Sequence, residues 1–208
     1  MVRNNNSLKR KSKNKPLKKH YAIFCEDKIT SCTYFKKFVE KLGINKIVCV
    51  KGSRGKSTPK QVLAYAKRFI KEESKEYYKT FIVVDKDKHD FYEKVKIECE
   101  KSKKSNKDKN TDFIFIGSNP CFEYFLLLYE EDTNKPFDNC QQIKKYLKKE
   151  YDRSIEDNFY YESRNYKKAI KNACKVENNK DEQGSENFTD IHILLDYLIK
   201  NIAKESNL

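Results

Sequence analysis

Carboxylate side chains follow two apolar runs of strand length, at the points where those runs end. Glu26 comes directly after the run at residues 21–25. Asp85 and Asp87 come directly after the run at residues 80–84. In a parallel α/β sheet, ligands bind at the carboxyl ends of the strands, and side chains two residues apart in an extended chain point the same way. Oxygen ligands that converge in this manner suit Mg²⁺ or Mn²⁺. A solvated acidic turn is the alternative for the second segment.

A further candidate lies after the fourth apolar run, in the segment G-S-N-P-C-F-E-Y-F-L-L-L at residues 117–128. Asn119 is of the type that caps helices, and Pro120 suits the first helical position. The unpaired N–H groups at such a helix N-terminus form a natural phosphate site. Glu123 falls in the first turn of this helix. One interpretation is that the Glu123 carboxylate only interacts favourably with the helix dipole. The other is that it acts as a further metal ligand or as a proton-transfer group.

The segment G-S-R-G-K-S-T at residues 52–58 ends like a phosphate-binding P-loop but does not complete one. The motif G-x-x-x-x-G-K-[ST] needs glycine at position 50, where this chain has Val50. We therefore reject NTP hydrolysis by this chain, and a solvated loop is one interpretation of the segment. The candidates for contacts to a nucleic-acid backbone are Lys28, Arg54, Lys56 and Asn119.

The elements that must position these side chains alternate between strand and helix. Apolar runs predict strands at residues 21–25, 46–50, 80–84 and 112–116. Helices are predicted at residues 30–42, from Pro59 onward, and at about 90–104. This order means parallel strands with crossover helices, buried on both faces. The predicted fold class is therefore α/β, with a mainly parallel, Rossmann-like sheet flanked by helices.

Only helical signals follow Pro120. They predict helices at residues 121–130, 141–151, about 160–176, and 189–203. We therefore divide the chain into a basic arm at residues 1–18, an α/β core at residues 19–130, and a helical extension at residues 131–208 that packs on the core.

The chain is strongly basic. Its 208 residues include 45 Lys and Arg against 31 Asp and Glu, a formal net charge of +14. Residues 1–20 carry eight basic residues and no acidic one, which predicts a disordered arm. The excess of Lys over Arg suits phosphate contacts better than base reading, so nucleic acid is the expected partner. Neither a membrane span of roughly 18 apolar residues nor a signal peptide is visible, so we expect a cytoplasmic protein without membrane contact.

The cysteines predict neither disulfides nor zinc. The seven cysteines are odd in number and widely spaced, without a C-x-x-C pair. In a chain without a secretory signal they indicate reduced thiols in core positions. The three histidines do not cluster with a cysteine pair, so we expect no zinc site.

Five segments resemble the RloB-like family. C-E-D-K-I-T-S-C-T-Y-F at residues 25–35 is similar to the family's first motif, E-G-x-x-T-E-x-x-Y-F. V-V-D-K-D-K-H-D at residues 83–90 resembles its acidic motif, and S-N-P-C-F-E at residues 118–123 is close to a family signature. The segments at residues 166–173 and 187–195 are similar to its closing segments.

The resemblance implies a Toprim-type α/β core and a nuclease of prokaryotic phage defence, often beside an AAA-type ATPase. Glu26 would act as general acid and base, Asp85 and Asp87 would hold Mg²⁺ or Mn²⁺, and Glu123 would be a further acidic ligand. Homo-oligomerisation is left open. The rival expectation is a catalytically weak or inactive Toprim module that binds nucleic acid or its ATPase partner.

Two residues depart from the family's first motif. Asp27 stands where the family has Gly, and Ser31 stands where it commonly has Glu. A serine hydroxyl is a poorer ligand for a hard divalent ion than a carboxylate. We therefore expect the site to hold one metal ion well and a second weakly, or to depend on Asp27 as a substitute ligand.

Overall fold

A computed structural model describes residues 19–53, 58–86, 91–102, 111–133, 135–178 and 186–204. The strands are β1 (His20–Cys25), β2 (Val48–Gly52), β3 (Tyr77–Asp85), β4 (Asp112–Asn119) and β5 (Phe188–Thr189). They form one five-stranded sheet in the order β2-β1-β3-β4-β5. The first four strands pair in parallel, and β5 runs antiparallel to β4. The mainly parallel α/β fold predicted from the sequence is confirmed.

Helices connect and cover the strands. They are α1 (Ser31–Lys41), α2 (Pro59–Glu72), α3 (Tyr92–Ser102), α4 (Glu123–Glu130), α5 (Cys140–Glu150), α6 (Ser163–Asn178) and α7 (Ile191–Tyr197). A short 3₁₀ turn at Asn158–Tyr161 precedes α6, and a π-helical turn at Leu198–Ala203 continues α7. As predicted, α2 begins at Pro59, because Thr58 and Gln61 form a capping box there. Within the described residues, no helix combines the length and apolar character that crossing a bilayer demands.

Alternate side chains of β1 fill two cores, one on each face of the sheet. Ile23 and Cys25 belong to the core that includes residues of α1, α4, α6 and α7. Ala22 and Phe24 belong to the core that includes residues of α2 and α3. All four side chains are fully buried. Burial on both faces explains the unbroken apolar run and leaves only the strand ends for polar groups.

The helices that follow β4 pack on the same core as α1. Residues 123–129 of α4 are all buried, and the Asn172 side-chain amide of α6 donates to the Leu128 carbonyl of α4 at 2.9 Å. Residues of α4, α5, α6 and α7 share one hydrophobic cluster with the sheet. The predicted basic arm at residues 1–18 lies outside the described residues.

Two predictions for the region after β4 are wrong. Asn119 does not cap a helix and Pro120 does not open one, because β4 extends to Asn119 and α4 begins only after Phe122. The peptide bond between Asn119 and Pro120 is cis. The strand continues because it gains a partner in β5, where Asn119 pairs with Phe188. The sequence did not indicate β5, since two residues are too few to show strand alternation.

Candidate functional site

Glu26 and Asp85 meet at the carboxyl end of the sheet because they end neighbouring strands. Glu26 follows β1, Asp85 is the last residue of β3, and Cys25 pairs with Val83 in the parallel register. The N–H of Glu26 donates to the Val83 carbonyl at 3.0 Å. Glu26 Oε2 accepts a hydrogen bond from the N–H of Asp85 at 2.9 Å. The end of β3 therefore fixes both the backbone and the side chain of Glu26.

The Asp85 carboxylate lies between β3 and α4. Its Oδ1 accepts a hydrogen bond from the N–H of Phe122, at the start of α4, at 2.9 Å. Burial raises the pKa of Asp85 well above its ordinary value. The carboxylates of Glu26, Glu123 and Asp27 raise this pKa further, and the N–H contact offsets them only in part. Carboxylates from four positions thus act on one another here, and a divalent cation would relieve their repulsion.

Glu123 brings a carboxylate from the first turn of α4 and meets α5. Its side chain is buried, and its Oε1 lies 3.0 Å from the Lys144 ammonium nitrogen. Its Oε2 lies 3.3 Å from Cys140 Sγ. Burial lowers the pKa of Lys144, but the attraction of Glu123 and, more weakly, of Asp85 and Asp27 outweighs burial and raises it. Lys144 is therefore a fixed positive charge at the edge of the carboxylate cluster.

Asp27 and Ser31 interact with each other at the start of α1. The Asp27 carboxylate accepts hydrogen bonds from the N–H of Thr30 and, at 3.1 Å, from the N–H of Ser31. It also accepts a hydrogen bond from the Ser31 hydroxyl. Asp27 thus satisfies N–H groups at the start of the helix. Asp27 and Ser31, the two residues that depart from the family motif, are thus hydrogen-bonded to each other. A role for Asp27 as a substitute metal ligand stays a prediction.

The end of β2 supports the turn that carries Glu26. The N–H of Ser53 donates to the Cys25 carbonyl at 2.9 Å, and its hydroxyl donates to the Glu26 carbonyl. A Cβ added to Gly52 would lie 2.8 Å from the Asp27 carbonyl oxygen and 2.9 Å from Lys28 Cα. Only glycine allows this close backbone approach. The sequence presented Gly52 only as part of an incomplete P-loop at residues 52–58, so this structural role was not predicted.

Three of the four predicted metal ligands meet at this end of the sheet: Glu26, Asp85 and Glu123. The fourth, Asp87, lies outside the described residues, as do the predicted backbone contacts Arg54 and Lys56. Lys28 is exposed beside Asp27. Asn119 donates its side-chain amide to the Glu186 carbonyl at 2.6 Å. Its amide therefore holds the segment before β5.

A cleft of about 450 Å³ begins at Glu123 and runs along α5. Its lining includes the basic and aromatic residues Lys144, Lys148, Tyr151, Arg153 and Tyr160. Arg153 is held in place, because its Nε lies 2.6 Å from Glu130 Oε1 and its guanidinium packs on the Phe159 ring. Cationic and aromatic side chains together suit phosphate and base contacts. Sequence reasoning missed this cleft, although the four-residue spacing of Lys144 and Lys148 was an available signal.

Cys121 and Cys140 form a disulfide beside Glu123, with Cα atoms 5.6 Å apart. The prediction of reduced thiols is wrong for this pair, and Cys174 is exposed rather than in the core. One ligand atom from each of Cys121, Glu123 and Cys140 lies within 4.8 Å of the others, so with the disulfide reduced these residues would offer three ligands to one metal ion. The sequence did not predict this group, because the cysteines are 19 positions apart and only the packing of α5 on α4 joins them.

Comparisons with known proteins gave one family. The family model described as RloB-like protein matches residues 21–198. The match therefore includes the ends of β1 and β3, the start of α4 and nearly all of the helices that follow. Searches among curated proteins and among solved structures gave no match.

Proposed function

Because the chain belongs to the RloB-like family, we propose that it is a Mg²⁺- or Mn²⁺-dependent nuclease that hydrolyses phosphodiester bonds in DNA or RNA. The observation that carries the proposal is the convergence of Glu26, Asp85 and Glu123. They come from the ends of two neighbouring strands and the first turn of a helix. A structural role alone does not require several carboxylates placed so that they raise the pKa of a partly buried aspartate, Asp85.

The donor set fits a hard divalent cation. Glu26, Asp85 and Glu123 would hold the ion, with Asp87 as the fourth ligand expected from the sequence. All four offer carboxylate oxygens. Burial and the carboxylates of Glu26, Glu123 and Asp27 raise the pKa of Asp85, and a bound cation would favour its ionised form. When bound, the ion would stabilise the charge that develops on the scissile phosphate and activate the attacking water.

The residues of the chain orient the reacting groups. A general acid and base must be held in position, and the hydrogen bond from the Asp85 N–H to Oε2 holds Glu26. The Phe122 N–H holds Asp85 in turn. Lys144 balances the charge of Glu123 and lines the cleft, where it would bind a phosphate oxygen of the substrate.

The substrate strand would lie in the cleft along α5. Lys148 and Arg153 would contact its backbone, and Tyr151 offers a ring for stacking. The basic arm at residues 1–18, with Lys28, Arg54, Lys56 and Asn119, would add backbone contacts. We further propose that the protein acts in the cytoplasm in prokaryotic phage defence, beside an AAA-type ATPase.

A second candidate function is a catalytically weak or inactive Toprim module that binds nucleic acid or its ATPase partner. Two observations favour it. Ser31 supplies no carboxylate where the family commonly has one, and it is engaged with Asp27 instead. The Lys144 ammonium already pairs with Glu123, so a metal ion must compete with it for that ligand.

Cleavage by the purified full-length protein separates the two functions. Supercoiled plasmid and tRNA are incubated with Mg²⁺ or Mn²⁺, with and without an ATPase partner, using wild type, Asp85→Asn and Asp112→Asn. Asp112 is an exposed carboxylate at the far end of β4 and serves as the matched control. Metal-dependent cleavage that is lost only in Asp85→Asn supports the nuclease. Binding of either nucleic acid without cleavage under every condition supports the module.

A further inference from the structure

Two sulfur atoms and a carboxylate meet where α5 begins beside α4. We propose that the reduced pair Cys121 and Cys140, together with Glu123, forms a second metal site, for a thiophilic divalent ion of the Zn²⁺ class. One donor atom from each residue lies within 4.8 Å of the others. Cys121 and Glu123 are buried, and Cys140 is half-buried. The site is thus partly shielded from water, and Cys140 is its most accessible residue.

The backbone holds both cysteines in positions that suit metal binding. Cys121 lies just before α4, where its carbonyl accepts a hydrogen bond from the N–H of Tyr124 at 3.0 Å. Cys140 is the first residue of α5, and the preceding Asn139 caps that helix by accepting from the Gln142 N–H at 3.1 Å. The Cα separation of 5.6 Å permits a disulfide. It also leaves the two sulfurs near enough to bind one ion after reduction.

The two sulfur atoms of this site favour a different metal ion from the one that the carboxylate cluster favours. Thiolates prefer Zn²⁺ and similar soft ions, whereas Mg²⁺ prefers oxygen. Two thiolates and the Glu123 carboxylate carry three negative charges, which a divalent ion and the nearby Lys144 ammonium neutralise together. A neutral assembly lowers the cost of burying these charges. Water completes the four ligands that Zn²⁺ prefers.

Access to the site requires thiol–disulfide exchange. A dithiol reductant gives two electrons and two protons to the Cys121–Cys140 bond, which leaves two thiols in the protein and one disulfide in the reductant. Metal binding then releases the two thiol protons to solvent. The disulfide and the metal-bound pair are therefore alternative states of the same two sulfurs.

Glu123 belongs to this site and also to the proposed Mg²⁺ or Mn²⁺ centre. That sharing rests on the proposed function, whereas the sulfur site itself does not. A Zn²⁺ ion held by Cys121, Cys140 and Glu123 would withdraw one ligand from the neighbouring centre. Mn²⁺ affinity is therefore expected to fall when Zn²⁺ is bound.

Co²⁺ is the probe, because sulfur-to-cobalt charge transfer absorbs in the near ultraviolet only when thiolate is a ligand. The full-length protein is reduced with dithiothreitol, freed of the reductant under anaerobic conditions and titrated with Co²⁺. We expect a charge-transfer band that saturates at one equivalent and disappears when Zn²⁺ is added. Protein left oxidised should show no band.

The variants assign the band to its ligands. Cys121→Ser and Cys140→Ser should lose most of it, and Glu123→Gln should weaken Co²⁺ binding by about tenfold or more. Cys174→Ser is the matched control, because this exposed cysteine on α6 lies outside the site. Circular dichroism of each variant checks that the fold is retained. An absent band in reduced wild type, or an equal band in both cysteine variants, overturns the proposal.

A separate titration tests the sharing of Glu123. The Mn²⁺ affinity of the reduced protein is measured by calorimetry with and without one equivalent of Zn²⁺. A fall in affinity supports a shared ligand, whereas an unchanged affinity refutes the sharing and leaves the sulfur site standing. A cobalt band in protein that neither binds Mn²⁺ nor cleaves nucleic acid refutes the proposed nuclease alone.

Discussion

The backbone N–H of Phe122 donates to Oδ1 of Asp85 at 2.9 Å, so a carboxylate at the end of β3 binds the start of α4. The two residues are 37 positions apart. This hydrogen bond uses an N–H that the sequence assigned to a phosphate site, and it places Glu123 beside Asp85. The helix N-terminus therefore orients a carboxylate of the candidate site.

Asp85→Asn should abolish metal-dependent cleavage and leave the fold stable. The amide oxygen can still accept from the Phe122 N–H, while the charge that repels Glu26 and Glu123 is gone. Cleavage assays and thermal melts of the variant, with Asp112→Asn as the control, check both parts. We expect the same loss of activity for Asp87→Asn. Full activity in both variants would show that these carboxylates are not catalytic.

Stability should depend on pH through Asp85. Its pKa is raised in the folded protein above the value of about 3.9 of an unfolded aspartate, so the folded state binds more protons. The free energy of unfolding contributed by Asp85 is therefore highest below the unfolded pKa and falls as pH rises through the folded pKa. Urea unfolding of wild type and Asp85→Asn between pH 3 and pH 8 isolates this contribution as the difference between the two curves.

Mn²⁺ should restore the folding stability that is lost as Asp85 ionises at the upper end of the same pH range. A cation bound to the ionised carboxylates stabilises only the folded state. The wild type should therefore gain stability from Mn²⁺ more strongly at pH 8 than at pH 4, and Asp85→Asn should gain little at either. A gain that is independent of pH would indicate that Mn²⁺ binds elsewhere.

Ser31→Glu should raise Mn²⁺ affinity and lower the stability of the metal-free protein. The substitution adds a carboxylate near Asp27 and removes the hydroxyl that donates to it. Calorimetric titration with Mn²⁺ of wild type, Ser31→Glu and Ser31→Ala measures the three affinities. The alanine variant separates the effect of losing the hydroxyl from the effect of adding a carboxylate. If no divalent ion binds to wild type or to Ser31→Glu, the binding module is the correct function.

Gly52→Ala should displace Glu26, although Gly52 itself is not one of the candidate metal ligands. The new Cβ would lie 2.8 Å from the Asp27 carbonyl oxygen, so the turn that carries Glu26 has to move. Such overpacking typically costs about 1–3 kcal/mol, and Mn²⁺ affinity should fall with stability. Ser53→Ala, which removes a hydroxyl without adding bulk, is the comparison. Equal Mn²⁺ affinity in Gly52→Ala and wild type would show that this approach does not position Glu26.

Deleting residues 1–18 should weaken nucleic-acid binding and flatten its dependence on salt. The deletion removes seven basic residues and no acidic one. A plot of the logarithm of the binding constant against the logarithm of the salt concentration gives a straight line. Its slope becomes less steep by about 0.7–0.9 for each phosphate that the shortened protein no longer neutralises. Fluorescence titrations of a labelled oligonucleotide at several salt concentrations measure the slope, and an unchanged slope would place the phosphate-binding residues elsewhere in the chain.

The sequence by itself determined the α/β order and two of the carboxylates at the sheet edge. Apolar runs buried on both faces must end where polar residues begin, so Glu26 and Asp85 were predictable from their positions after β1 and β3. The first turn of α4 likewise located Glu123. These features depend on neighbours in the chain, and local periodicity records them.

Only the tertiary structure decided which distant residues act together. The hydrogen bond of Phe122 with Asp85, the close approach of Gly52 to Asp27, the pairing of Cys121 with Cys140, and the ion pair of Lys144 with Glu123 all join separate elements. Each depends on how one helix or strand packs against another. Hydrophobic spacing indicates which face of an element is buried, but it does not specify which residues of the neighbouring element that face will meet.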